Sequence, residues 1–171
     1  MSNNNGFSLI ELIVVVAILG IITVLFLPNF RDYQEKSYLN SALSQTRSFL
    51  TLIRQQSVAN VLPENCVSSA FKGYGFSSSE TNNQILKTYY CLTSSTTLDQ
   101  IQLNKFKHIK LLPSKDVYFA RSTGELLDPQ TNQKIFNPLV LILKNTQSNK
   151  CASLTIDEFG IIITNEKFTC P

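Results

Sequence analysis

Between Phe7 and Phe30 the chain carries one charged side chain, Glu11, which is followed by an uncharged, almost wholly apolar run from Leu12 to Leu27. A backbone wrapped in apolar side chains has to satisfy its own N–H and C=O groups, and a single segment does so as a helix. At about 1.5 Å per residue the segment from Phe7 to Phe30 reaches roughly 36 Å, enough to cross a hydrocarbon core. The segment therefore reads as a spanning or anchoring helix. Glu11 is the anomaly in it. An ionised side chain at membrane depth costs about 2.5–3.5 kcal/mol, less near a helix end, and such a group calls for a cationic partner.

A secretory signal peptide does not account for this segment. Such a signal has a basic start, a shorter apolar stretch and a small-residue cleavage site. Residues 1–6 carry no Lys or Arg, and Thr23 to Phe30 offers no A-x-A-like site. Pro28 removes a backbone donor near the end of the run and is expected to bend the helix.

Beyond Pro28 the helical pattern continues. Leu39, Leu43, Thr46, Leu50, Ile53 and Ser57 alternate by four and three, with Phe49, Leu52 and Val58 widening the stripe. Pro63 disfavours helix at the residue before it, so the helix is expected to end near Asn60 to Leu62. After Pro63 short β-rich runs follow, at Tyr74–Phe76, Ile85–Leu92, His108–Leu112, Val117–Arg121, Leu139–Lys144, Ala152–Ile156 and Gly160–Thr164. They predict an antiparallel sheet that ends in a hairpin turning at Asp157 to Gly160. Residues 98–107 are open between strand and a short helix capped by Thr97-x-x-Gln100. The Ser/Thr/Asn clusters at 77–83, 93–97 and 145–149 read as surface loops.

The expected class is α+β: a long N-terminal membrane-spanning helix packed on a C-terminal antiparallel β-rich domain. The boundaries are a leader at 1–6, a transmembrane half-helix at 7–28, an amphipathic half-helix at 29–62 and a globular domain at 63–171. All 15 Lys and Arg lie beyond Pro28 against 11 acids (12 less Glu11), which makes that part about +4. So mild an excess permits an anionic partner without demanding one. Cys66, Cys91, Cys151 and Cys170 all lie in the part expected to be exported, where an even count indicates two disulfides. Three connectivities are open. The preferred one joins Cys66 to Cys91 and Cys151 to Cys170, since each pair flanks a compact stretch; four reduced buried thiols are the competing reading.

Catalytic patterns are missing from the sequence: it has no G-x-S-x-G, Walker A, H-E-x-x-H or Rossmann glycine motif. With His108 the single histidine and no C-x-x-C, neither a zinc site nor a Cys-His nucleophile is expected. We expect no enzyme, no cofactor and no metal. Asp116, Glu125 and Asp128 lack calcium-loop spacing and sit around turns. Lys105, Lys107, Lys110 and Lys115, with Phe106, His108 and Tyr118, form the densest basic and aromatic stretch. It suits a nucleic-acid backbone, but the favoured reading is lysines guarding a sheet edge. Tyr74, Phe76, Tyr89 and Tyr90 suit either an adhesive or glycan-binding patch or a core, and aromatics in β domains are mostly core.

The string Gly6-Phe7-Ser8-Leu9-Ile10-Glu11 before an apolar helix resembles the processing signal of type IV pilins and type II secretion pseudopilins. The resemblance implies that a prepilin peptidase cuts between Gly6 and Phe7 and methylates the new terminus. It also implies that Glu11 pairs with the terminal ammonium of a neighbouring subunit and that Pro28 is the helix-kinking proline. The helix end at Arg54-QQSVAN, the LLPSKDVYF stretch and the late Phe159-Gly160-Ile-Ile-Ile run resemble the H-type minor pseudopilin and FimT-like minor pilin branch. The implied role is a non-enzymatic filament subunit, held in the inner membrane by one pass with its soluble domain periplasmic or extracellular. Its implied partners are other pilins or pseudopilins through the N-terminal helix, the prepilin peptidase and the assembly platform. A DNA- or surface-binding tip pilin and an unrelated anchored extracellular domain are the alternatives.

Overall fold

The computed structural model describes residues 8–92 and 94–170, with side chains except at 24–29 and 166–169. The chain divides into two units, Met1–Lys36 and Ser37–Pro171. One helix, α1 (Leu9–Val58), extends through the first and into the second.

In the first unit every described large apolar side chain from Leu9 to Ile22 is exposed. Polar contacts stay local: Thr23 Oγ1 donates to the Leu19 carbonyl at 2.7 Å, and Lys36 pairs with Asp32 at 3.2 Å one turn away. Among the described residues no helix is long and apolar enough to cross a membrane. The described part of the apolar run, Leu9 to Thr23, reaches only roughly 22 Å against a hydrocarbon core of about 30 Å. The rest of the expected span, including the Pro28 ring, lies outside the described side chains.

In the second unit the helical stripe is the buried face. Leu39, Leu43, Thr46, Leu50, Ile53 and Ser57 are all inside, while Leu52 and Val58, expected to widen the stripe, remain exposed. The helix stops at Val58, before the expected Asn60 to Leu62. Asn60 takes the left-handed conformation (φ 59°), the Val61 N–H reaches the Gln56 carbonyl at 3.1 Å and the Asn60 N–H reaches that of Ser57 at 3.1 Å. This 6→1 and 5→2 pair is the Schellman ending, and it acts upstream of Pro63.

Nine strands follow: β1 (Phe71–Ser79), β2 (Gln84–Cys91), β3 (Ser94–Gln102), β4 (Ile109–Leu112), β5 (Lys115–Ala120), β6 (Leu126–Leu127), β7 (Leu139–Asn145), β8 (Lys150–Ile156) and β9 (Ile162–Thr169). They form two antiparallel sheets, ordered β3-β2-β1-β5-β6 and β4-β7-β8-β9, where the sequence had suggested one. Both sheets contribute to the same core as the helix stripe, with Phe76, Phe119 and Leu126 from one and Leu111, Leu141 and Leu154 from the other. Ser57 latches the helix to the first sheet. Its hydroxyl donates to the Phe119 carbonyl at 2.5 Å and accepts the Tyr74 N–H at 3.1 Å.

Some expected loops are strands. Residues 77–79 extend β1, and 94–97 belong to β3, so Thr97-x-x-Gln100 caps no helix; residues 103–105 form a 3-10 turn instead. β3 escapes a pattern search because it is a sheet edge with both faces in solvent, exposed at every residue but Ile101. At the other end Gly160 sits in the turn (φ 73°), and the last strand starts at Ile162.

The buried Asn83, in the turn between β1 and β2, joins the two sheets. Its amide donates to the Ile109 carbonyl at 2.6 Å and to Asn104 Oδ1 at 3.0 Å, and its own oxygen accepts the Leu111 N–H at 2.9 Å. The side chain thus supplies the two backbone hydrogen bonds that a further strand would make to β4. We expect Asn83→Ala to cost about 2 kcal/mol, since buried donors and acceptors lose their partners. Urea unfolding measures that loss, and amide exchange at Leu111 should accelerate; a Leu111 amide as protected as in wild type would contradict the assignment.

Candidate functional site

The described helix begins with a reciprocal pair. The Ser8 N–H donates to Glu11 Oε2 at 3.3 Å, and the Glu11 N–H donates to Ser8 Oγ at 3.3 Å. With Ser8 as the cap and Glu11 three residues on, two of the otherwise orphaned amide donors at the helix start are satisfied. The arrangement also turns the carboxylate back toward the positive end of the helix dipole. Glu11 therefore carries its charge at the mouth of the apolar helix, on the side from which the chain enters. Ser8-x-x-Glu11 is thus a capping signal legible within the Gly6–Glu11 string itself. The expected cut after Gly6 and the new terminus at Phe7 lie outside the described residues.

The second candidate is the basic stretch. Lys105, Lys107, His108 and Lys110 are exposed, with the Lys105 ammonium 5.2 Å from the centre of the Phe106 ring. His108 is not in the strand expected to contain it. It takes a left-handed conformation (φ 62°) just before β4 and lends its carbonyl to the Thr146 N–H at 2.8 Å. Lys115 stands on β5, in the other sheet. In its place the fold brings Lys144 of β7 directly opposite Lys110. β4 is an edge strand, as the edge-guarding reading requires.

The remaining groups have structural partners. Asp116 accepts the Tyr90 hydroxyl at 2.5 Å, and Glu125 pairs with Lys134 at 3.0 Å. Burial first, and the bond to Asp116 next, push the Tyr90 hydroxyl far above its ordinary pKa. Asp128 closes a turn by accepting the Gln130 and Thr131 N–H groups at 2.9 Å each, and the Thr131 amide leads in holding its carboxyl below the ordinary range. Among the described residues no His, Cys, Asp and Glu side chains group to hold a metal ion. Tyr74, Phe76, Tyr89 and Tyr90 are all buried and offer no adhesive patch. Phe71 meets Tyr74 edge-on at 5.2 Å, and the Lys87 ammonium stands 5.2 Å from the centre of the Tyr74 ring.

The family model for the prokaryotic N-terminal methylation motif matches residues 1–27. A fimbrial protein of Pseudomonas aeruginosa is 37% identical over 51 residues, which is 30% of this chain and 33% of that protein. The type IV major pilin protein PilA of Myxococcus xanthus is 42% identical over 48 residues, 28% of this chain and 22% of PilA. The type IV major fimbrial protein FimA of Dichelobacter nodosus is 38% identical over 52 residues, covering 30% and 33%. The N-terminal segment of the chain is similar to that of type IV pilins. Its match spans a third or less of those pilins. Pilins and pseudopilins are structural subunits, not enzymes. Among solved structures, the minor pseudopilin EpsH from the Type 2 Secretion System of Vibrio cholerae aligns with a TM-score of 0.45 at 14% identity, over 74% of this chain and 94% of that one.

Proposed function

We propose that this chain is a minor pilin or pseudopilin, a non-enzymatic subunit of a type IV pilus or a type II secretion pseudopilus that helps initiate or tip the filament. The observation that carries the reading is the Gly6-Phe7-Ser8-Leu9-Ile10-Glu11 string ahead of an apolar helix, within the matched methylation motif. In this reading a prepilin peptidase removes residues 1–6 and methylates Phe7. The 7–28 half-helix waits in the inner membrane as a single pass, the 29–62 half carries the stripe, and the 63–171 domain faces outward. At the assembly platform, lipid contacts of the helix give way to packing against the helices of other pilins, accommodated by a bend at Pro28. Glu11 sets the register: it costs energy in lipid and gains an ammonium partner only in the correct stagger, as one buried polar group does in a coiled coil. The bonds with Ser8 support this role, because they hold the carboxylate at the helix mouth.

Mass spectrometry of the protein extracted from membranes of its own host tests the processing step. The expected mature chain starts at N-methyl-Phe7, and a bulky residue in place of Gly6 blocks the cut without preventing insertion. A native chain that still starts at Met1 would leave an unrelated anchored domain as the better reading. For the register step, Glu11→Ala should insert normally yet lose to wild type in a competition for filament incorporation; equal incorporation rules that mechanism out.

A further inference from the structure

From the sheet geometry we infer that Lys105, Lys107, Lys110 and Lys144 form a strip that binds the phosphodiester backbone of a nucleic acid without reading its sequence. The outer edge of β4 already has partners at two of its backbone groups. Asn83 occupies the Ile109 carbonyl and the Leu111 N–H, so no lysine is needed to keep another strand from pairing there. The arrangement of the lysines also carries an energetic cost. Ile109, Leu111, Leu141 and Leu143 point into the core, which puts Lys110 and Lys144, opposite one another in the ladder, together on the outer face. Like charges directly opposite destabilise a sheet. Among the described residues no carboxylate forms an ion pair with any of the four lysines, so the repulsion stands until an anion arrives.

The surroundings fit a hydrated polymer. A groove of about 500 Å³ lies beside Lys110, lined by hydrogen-bonding groups of Asn104, His108, Ser114 and Thr146, with Glu80 its one carboxylate. Across residues 99–135 and along β7 only Val140 exposes a large apolar side chain, by 38%, too little to anchor in a bilayer. A membrane-surface site needs such anchors, whereas contacts to phosphates need only cations and donors. The strip is independent of the processing reading and holds whether or not the chain is cut after Gly6.

The test uses the full-length chain in neutral detergent micelles and short fluorescent duplexes of two unrelated sequences, followed by anisotropy. Four phosphate contacts predict equal affinity for both sequences and about a hundredfold loss between about 50 and about 200 mM salt. Lys110→Gln with Lys144→Gln should weaken binding at the lower salt at least tenfold and reduce the salt slope by about two. Lys105→Gln with Lys107→Gln, which alters no strand, should act in the same direction. Arg47→Gln, on the exposed side of the helix, should leave binding unchanged. The inference is overturned if the duplexes do not bind at the lower salt, if both double variants bind as wild type does, or if Arg47→Gln weakens binding equally. It is also overturned if polyglutamate of equal charge displaces the duplex as well as unlabelled duplex does, since the strip would then suit an acidic protein surface.

Discussion

Gly73→Ala should lower the melting temperature of the folded domain by about 10 °C or more, from a loss of about 3 kcal/mol. Gly73 follows an irregularity in the register between β1 and β2 and has φ 153°, a conformation that side-chain-bearing residues rarely adopt. A Cβ at this position would lie 2.0 Å from the Phe119 carbonyl oxygen and 2.8 Å from Ser57 Oγ. Neither atom can yield cheaply. The Phe119 oxygen accepts the Ser57 hydroxyl, and that hydroxyl also accepts the Tyr74 N–H, so any shift opens the latch between helix and sheet. Gly20→Ala is the control, because a Cβ there meets nothing within 4 Å and the helix only gains propensity. Thermal unfolding of both variants by circular dichroism decides the matter, and a Gly73→Ala melt that coincides with wild type would refute the close approach.

Reduction of the two disulfides is the other large effect. Cys66 is bonded to Cys91 across 25 residues, and Cys151 to Cys170 across 19. In the chain-entropy account each closure contributes roughly 3 kcal/mol, against a total of about 5–15 kcal/mol for a domain of this size. The first bond joins the segment after the helix to the end of β2, next to the Leu92 N–H bond to the Ala70 carbonyl at 2.8 Å. The second joins the start of β8 to the chain beyond β9. Adding reductant should therefore bring the melt down by more than 15 °C, about twice the loss for either single bond by the same scaling. Cys66→Ala with Cys91→Ala, and Cys151→Ala with Cys170→Ala, apportion the effect. Four thiols that alkylate readily in the native protein without reductant would contradict both bonds.

Much of the architecture was readable from neighbouring residues, because helix and strand periods are local. The stripe from Leu39 to Ser57 repeats every three or four residues, and each of its six members is buried. Strands with one face on the core, such as Leu139–Asn145, alternate visibly. β3 does not, since an edge strand with two wet faces has no apolar alternation to detect. The Ser8–Glu11 pair was legible for the same local reason as the helix. What no local pattern carries is pairing between distant segments. Tertiary structure alone decided that β1 lies between β2 and β5, and that β4 joins β7 in a second sheet. That choice set Lys144 beside Lys110, sent Lys115 to the other sheet and turned the Asn83 side chain into a substitute strand. It also made Gly73 indispensable, because the atom that excludes a side chain there belongs to Phe119, which is brought near only by the closing of the sheet. The sequence by itself determined the helix, the six buried residues of its stripe and the string that matches the N-terminal methylation motif, since each is written within a few turns of chain. Strand order and the pairing of surface charges follow from which apolar faces can be buried together, a property of the whole core.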